Sequence, residues 1–134
     1  MKEFFKKITE KILPKKYQLH LRYFYLEKTN NLDEEMFYVS KLLDQKRRFL
    51  DIGSNVGIYS FYFRNIFKNV DSFEPLKEIT HRLKAIQNQT FVVHNVGISN
   101  KKGEFQFYIP YLNGLIAPAL ASLEKRDGKC ELRT

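Results

Sequence analysis

The apolar positions of this chain change period several times, and each change marks a different kind of element. Residues 2–13 place Phe4, Phe5, Ile8 and Ile12 on one helical face, with Lys2, Lys6, Lys7 and Lys11 largely on the rest. That predicts a short amphipathic helix whose extension Pro14 limits. Residues 19–26 instead alternate Leu19, Leu21, Tyr23 and Tyr25, the period of a half-buried strand, until Asn30-Asn31 breaks it. Asp33 through Leu43 reads as a helix with Met36, Val39 and Leu43 on one side and acidic residues in its first turn.

From Phe49 onward strands and helices alternate. Phe49-Leu50-Asp51-Ile52 predicts a strand, and Val56 to Phe67 a helix that is apolar nearly all round. Val70 to Phe73 predicts a second strand, closed by Glu74. Pro75 suits the first turn of a helix in which Leu76, Ile79, Leu83 and Ile86 recur. Phe91-Val92-Val93 is a third strand; after an Asn100–Gly103 turn, Phe105, Phe107 and Ile109 alternate in a fourth. Strands separated by helices imply parallel βαβ units with right-handed crossovers, the doubly wound α/β class, whose ligands bind at the carboxyl ends of the strands. Pro110, Gly114, Pro118 and Gly128 punctuate a last apolar stretch without a clean period, read as a substrate-side loop or a packing segment. The predicted organisation is an N-terminal basic helix and strand extension, 1–30, followed by an α/β domain over 31–134.

Charge changes the picture only at the N-terminus. The net charge is +8, and residues 1–28 contribute eight Lys or Arg against three Glu, more than half of the excess. The basic residues follow a helical pattern instead of marking a nucleic-acid reading element, so no nucleic-acid partner is expected. Weak contact of the N-terminal basic helix with a membrane surface is one expectation; packing of its Phe/Ile stripe on the domain is the plainer one. No apolar run approaches the roughly 18 residues that cross a bilayer, and no secretory signal precedes the domain, which makes the cytoplasm the default. Cys130 has no cysteine to pair with, and His20, His81 and His94 are too scattered to suggest a metal site.

The segment with chemistry in it is Asp51-Ile52-Gly53-Ser54-Asn55-Val56-Gly57, which leaves a strand, turns sharply and opens a helix. Gly53 and Gly57 let backbone approach a ligand, and amides at the start of a helix favour electron-rich groups. The spacing is G-x-x-x-G, not the G-x-G-x-x-G of dinucleotide binders. Asp51 would repel a pyrophosphate but suits the positive end of a zwitterionic amino acid, directly or through water. Glu74, 23 residues further on, can accept hydrogen bonds from the 2′ and 3′ hydroxyls of a ribose. Asn95, after the third strand, is placed near where an adenine would lie. Each feature also has a plain structural reading: a glycine turn alone can be architectural, and a carboxylate at a strand end is often solvated or capping. His94 stands beside this site and is a candidate base.

Three blocks carry a resemblance: residues 49–57, Ser72-Phe73-Glu74-Pro75, and Asn95-Val96-Gly97-Ile98-Ser99-Asn100-Lys101-Lys102-Gly103. In this order and spacing they resemble the FkbM family of methyltransferases, over roughly residues 33–134. Ser54 and Gly97 stand where that family more often has Ala, and the family's later acidic D-x-E-G block has no counterpart. The resemblance implies a Rossmann-like class I methyltransferase fold cut short at the C-terminus, S-adenosylmethionine as cofactor, and methyl transfer to a sugar or secondary-metabolite hydroxyl. The cofactor-binding candidates are Asp51, Gly53, Ser54, Asn55, Gly57, Glu74, Pro75 and Asn95; the catalytic base lies unassigned and no metal is expected. The alternatives are a catalytically inactive S-adenosylmethionine-binding module and, against the turn's spacing, a nicotinamide-dependent oxidoreductase.

Overall fold

A computed structural model describes residues 12–112, 114–125 and 128–133. The amphipathic helix expected over 2–13 lies outside the described residues except at its C-terminal end. Helix α1 (Lys15–Lys28) and helix α2 (Glu35–Leu42) precede strand β1 (Arg48–Ile52). Helix α3 (Ile58–Phe63), strand β2 (Asn69–Phe73), helix α4 (Lys77–Lys84) and strand β3 (Phe91–His94) follow. The three strands form one parallel sheet in the order β1-β2-β3, with Phe49, Val70 and Phe91 in register. The fold is therefore α/β and compatible with a Rossmann-like arrangement.

Two parallel crossovers in the same spatial direction put α3 and α4 on the same face of the sheet. That face carries the core: Phe49, Val70, Phe91 and Val93 meet Phe61, Phe63, Phe67 and Leu83. Paired residues share a face and successive ones alternate, so Leu50, Ile52, Asp71, Phe73, Val92 and His94 line the other side. Leu50 and Ile52 there are more than half exposed. β1 and β3 are the two edges of the sheet among the described residues.

The strand expected over residues 19–26 is a helix. Alternation and helical period coexist in this segment, because Leu19, Arg22, Tyr23 and Leu26 also recur at i, i+3, i+4 and i+7. The helical reading wins because α3 and α4 offer a surface to that stripe: α1 packs against both, with Leu19 fully buried. The Gln18 Oε1 atom accepts a hydrogen bond from Arg82 Nε at 3.0 Å, which ties α1 to α4. α1 accordingly belongs to the same compact unit as the parallel sheet, and the division falls after Gly97, not after residue 30.

Other differences are local. The helix expected from Val56 to Phe67 is α-helical only over Ile58–Phe63. Pro75 stands before α4 instead of in its first turn, and Leu76, in extended conformation, is the N-cap.

The unit from Ile98 onward is antiparallel. Strand β4 (Phe107–Leu112) pairs with β5 (Leu115–Ile116) on one side and β6 (Cys130–Arg133) on the other. A short 3₁₀ turn covers Pro118–Leu120, and Ile109 of β4 is fully buried. The fourth strand thus does not extend the parallel sheet. It pairs antiparallel with β5 and β6, and no helix separates it from β3 among the described residues, where a parallel crossover usually carries one. Phe105 lies outside the strand, and part of the segment read as a loop after Pro110 is strand and 3₁₀ turn. No helix among the described residues is long and apolar enough to cross a membrane.

Candidate functional site

The carboxyl ends of β1 and β2 are stitched together by backbone. Gly53 and Ser54 both donate their N–H to the Phe73 carbonyl, at 2.9 and 3.0 Å, and Gly57 donates to the Ser54 carbonyl at 2.8 Å. Three residues of the turn are left-handed: Gly53 (φ 77°), Asn55 (φ 50°) and Gly57 (φ 83°). Asparagine is among the few residues with a Cβ that visit this region readily, which explains its place in the turn. A Cβ on Gly53 would meet nothing within 4 Å, whereas one on Gly57 would run into the Leu83 side chain. The two glycines therefore differ in purpose. Gly53 meets the requirement of the turn alone; Gly57 also lets α3 start directly against α4.

Glu74 is 6% exposed and braces this turn. Its Oε2 accepts the Asn55 N–H at 2.9 Å, and its Oε1 accepts the Leu76 N–H at 2.9 Å. The same carboxylate that sequence assigns to a ribose thus also joins the glycine turn to the entry of α4. Each oxygen keeps a second lone pair for a further donor. Asn95 is brought to the same place: its Nδ2 donates to the carbonyls of Glu74 and Pro75, both at 2.8 Å. Gly53, Ser54, Asn55, Glu74, Pro75 and Asn95 form one continuous cluster at the end of the sheet.

Asp51 turns toward the core side of that cluster. Its Oδ2 accepts the backbone N–H and the hydroxyl of Ser60, at 3.0 and 2.5 Å, so it fastens β1 to the first turn of α3. This partner was not apparent in the sequence; a serine three positions into a helix that follows an acidic strand end is the only trace of it. Burial pushes the Asp51 carboxyl above its ordinary value, against the opposing pull of the two Ser60 hydrogen bonds. The folded state then binds the proton more readily than the unfolded chain. Between the unfolded value and the raised one, stability falls as pH rises, because the native state holds more protons there. Asp51→Asn keeps an oxygen for Ser60 and removes the buried charge. Its stability at neutral pH should lie within about 1 kcal/mol of the parent or above it. Urea titrations should show that the parent gains stability on mild acidification relative to this variant. A variant that loses stability only at neutral pH would contradict the assignment.

Among the described residues, three buried polar atoms at or beside the turn have no hydrogen-bond partner: Ser54 Oγ, Asn55 Oδ1 and Ser72 Oγ. An unsatisfied buried group costs about 1–3 kcal/mol, and such groups concentrate where a ligand or an ordered water completes them.

On the opposite face, Asp71 accepts from Arg48 Nη1 at 3.0 Å and pairs with His94 Nε2 at 2.8 Å, while the His94 ring stacks on Phe73 with centroids 4.6 Å apart. His94, the candidate base, is thus engaged with Asp71 on the side away from Asp51 and Ser72. Register alone reveals this trio, since the three residues come from three strands. Groups of three or more metal-ligating side chains do not occur among the described residues. A cleft of about 450 Å³ lies elsewhere, between the end of α1 and α2, lined by Glu27, Asn30, Leu32, Phe37 and Tyr38 among others. None of its lining residues belongs to the turn.

Comparison with protein-family models, with curated proteins and with solved structures finds no match to this chain.

Proposed function

We propose that the turn after β1 and the carboxylate ending β2 together hold one S-adenosylmethionine. The chain would then be the cofactor-binding portion of an FkbM-like, S-adenosylmethionine-dependent methyltransferase with a Rossmann-like class I fold. The observation that carries this reading is the 2.9 Å hydrogen bond between Asn55 N–H and Glu74 Oε2, which makes the turn and the acid one site. The strand order supports it: read from β3 to β1 it is one half of a doubly wound sheet, and the open edge of β1 lies where such a sheet reverses direction and binds ligand. The unpartnered Ser54 and Asn55 oxygens fit a ligand rich in hydroxyl and amine donors.

On this reading Glu74 orients the ribose through the lone pairs that Asn55 and Leu76 leave unused. Asn95, held by the Glu74 and Pro75 carbonyls, borders the adenine. Gly53, without a Cβ, gives the amino-acid portion room over the turn. When bound, the cofactor supplies a methyl group on an already activated leaving group, so the protein's main task is to align an acceptor about 3 Å from it. The acceptor class proposed is a hydroxyl of a sugar or secondary metabolite.

Titration calorimetry should detect binding of S-adenosylmethionine and S-adenosylhomocysteine and none of NAD. Gly53→Arg should abolish it while circular dichroism still reports a folded chain, because the Cβ position is open and the left-handed φ of 77° adds only about 1–2 kcal/mol of strain. Binding of NAD, or equal binding by the parent and Gly53→Arg, would overturn the proposal. A second reading, a binding module without turnover, is favoured by the engagement of Asp51 and Glu74 with the chain's own amides, which leaves neither poised as a base. Methyl transfer to any hydroxylated acceptor by the purified chain would eliminate that second reading.

A further inference from the structure

We propose that the outward face of α1 docks on an anionic phospholipid surface. α1 is apolar on two opposite sides. Leu19 and Tyr23 pack into the core, and the far side presents Tyr17, Leu21, Phe24 and Tyr25 at 49, 45, 53 and 47% exposure. These four recur at i, i+4, i+7 and i+8, one continuous stripe along the helix. Helix stability does not require it, because the buried stripe already anchors α1 to α3 and α4.

Charge selects the occupant. α1 carries Lys15, Lys16 and Lys28 beside a single acid, Glu27, while Arg22 belongs to the buried stripe. Lys16 Nζ lies 4.9 Å from the centroid of the Tyr17 ring, and Lys28 Nζ lies 5.4 Å from that of Phe24. Exposed aromatic rings with lysine ammonium groups held over them suit a headgroup boundary, where rings enter the acyl border and amines meet phosphate. A second copy of this face would instead oppose like charges. The preceding segment has the same chemistry in its sequence, with Lys2, Lys6, Lys7 and Lys11 among Phe4, Phe5 and Ile8. The docking surface is independent of the cofactor reading and stands or falls separately.

The sequence contains no tryptophan, so Phe24→Trp installs a single reporter in the stripe of the full chain. Its emission should shift to the blue with phosphatidylcholine vesicles containing phosphatidylserine, and not with phosphatidylcholine alone. Flotation should show the parent bound to the anionic vesicles at low salt and released at high salt. Leu21→Ser with Phe24→Ser should weaken binding roughly tenfold or more, with helicity unchanged. Lys16→Gln with Lys28→Gln should weaken it roughly fivefold per lysine. An unshifted emission from the Phe24→Trp variant, salt-independent binding, full binding by the serine double variant, or sedimentation showing a dimer that the serine variant dissolves would each overturn the proposal.

Discussion

Gly57→Val is expected to lower the thermal midpoint of the chain by roughly 10–20 °C, the largest effect of any single substitution at the turn. Two costs add at this position. The residue is left-handed at φ 83°, which costs a residue with a Cβ about 1–2 kcal/mol. The new side chain also enters the space of Leu83, a fully buried residue that cannot swing aside, and overpacking of this kind costs about 1–3 kcal/mol. Against a total stability of about 5–15 kcal/mol this is a large fraction. Gly53→Ala should bear the conformational cost alone, because open space surrounds its Cβ, and should move the midpoint by less than half as much. A double-mutant cycle isolates the collision. Gly57→Ala and Leu83→Ala combined should destabilise less than the sum of the single variants, by about 1 kcal/mol or more. Strict additivity would mean that the two side chains do not compete for the same space.

Glu74→Ala is expected to cost about 2–4 kcal/mol of stability in urea unfolding, before any ligand is considered. The substitution strands two donors at once, the Asn55 and Leu76 N–H groups, in a place where the parent side chain is 6% exposed. Glu74→Gln should cost roughly half as much, because the amide oxygen still accepts from one donor while its NH₂ confronts the other. The order of the two variants is the test: a Glu74→Ala protein as stable as its parent would show that the carboxylate does not brace the turn. This expectation also bears on cofactor assays. Loss of binding in a Glu74 variant mixes a lost ribose contact with a loosened turn, whereas Gly53→Arg leaves the Glu74 hydrogen bonds in place and adds strain that Gly53→Ala measures by itself. The two variants together distinguish a ligand site from an architectural one.

Much of the first unit was legible in the sequence because its signals are local. The apolar runs at Phe49–Ile52, Val70–Phe73 and Phe91–Val93 became β1, β2 and β3 within a residue or two, and the glycine turn leaves β1 where it was expected. The meeting of the turn, Glu74 and Asn95 was legible too, since the carboxyl ends of adjacent parallel strands must lie side by side. The tertiary structure decided the rest. Residues 19–26 satisfy two periods, and only the surface of α3 and α4 chose the helix. β4 has a strand's pattern but its partners, β5 and β6, come later in the chain, so periodicity could not reveal that it leaves the parallel sheet. The carboxylate of Asp51 found Ser60 nine positions on, and Gly57 owes its lack of a side chain to Leu83. Local pattern fixes which face of an element is apolar; what that face meets, and which polar group completes another, depends on distances between residues far apart in the chain.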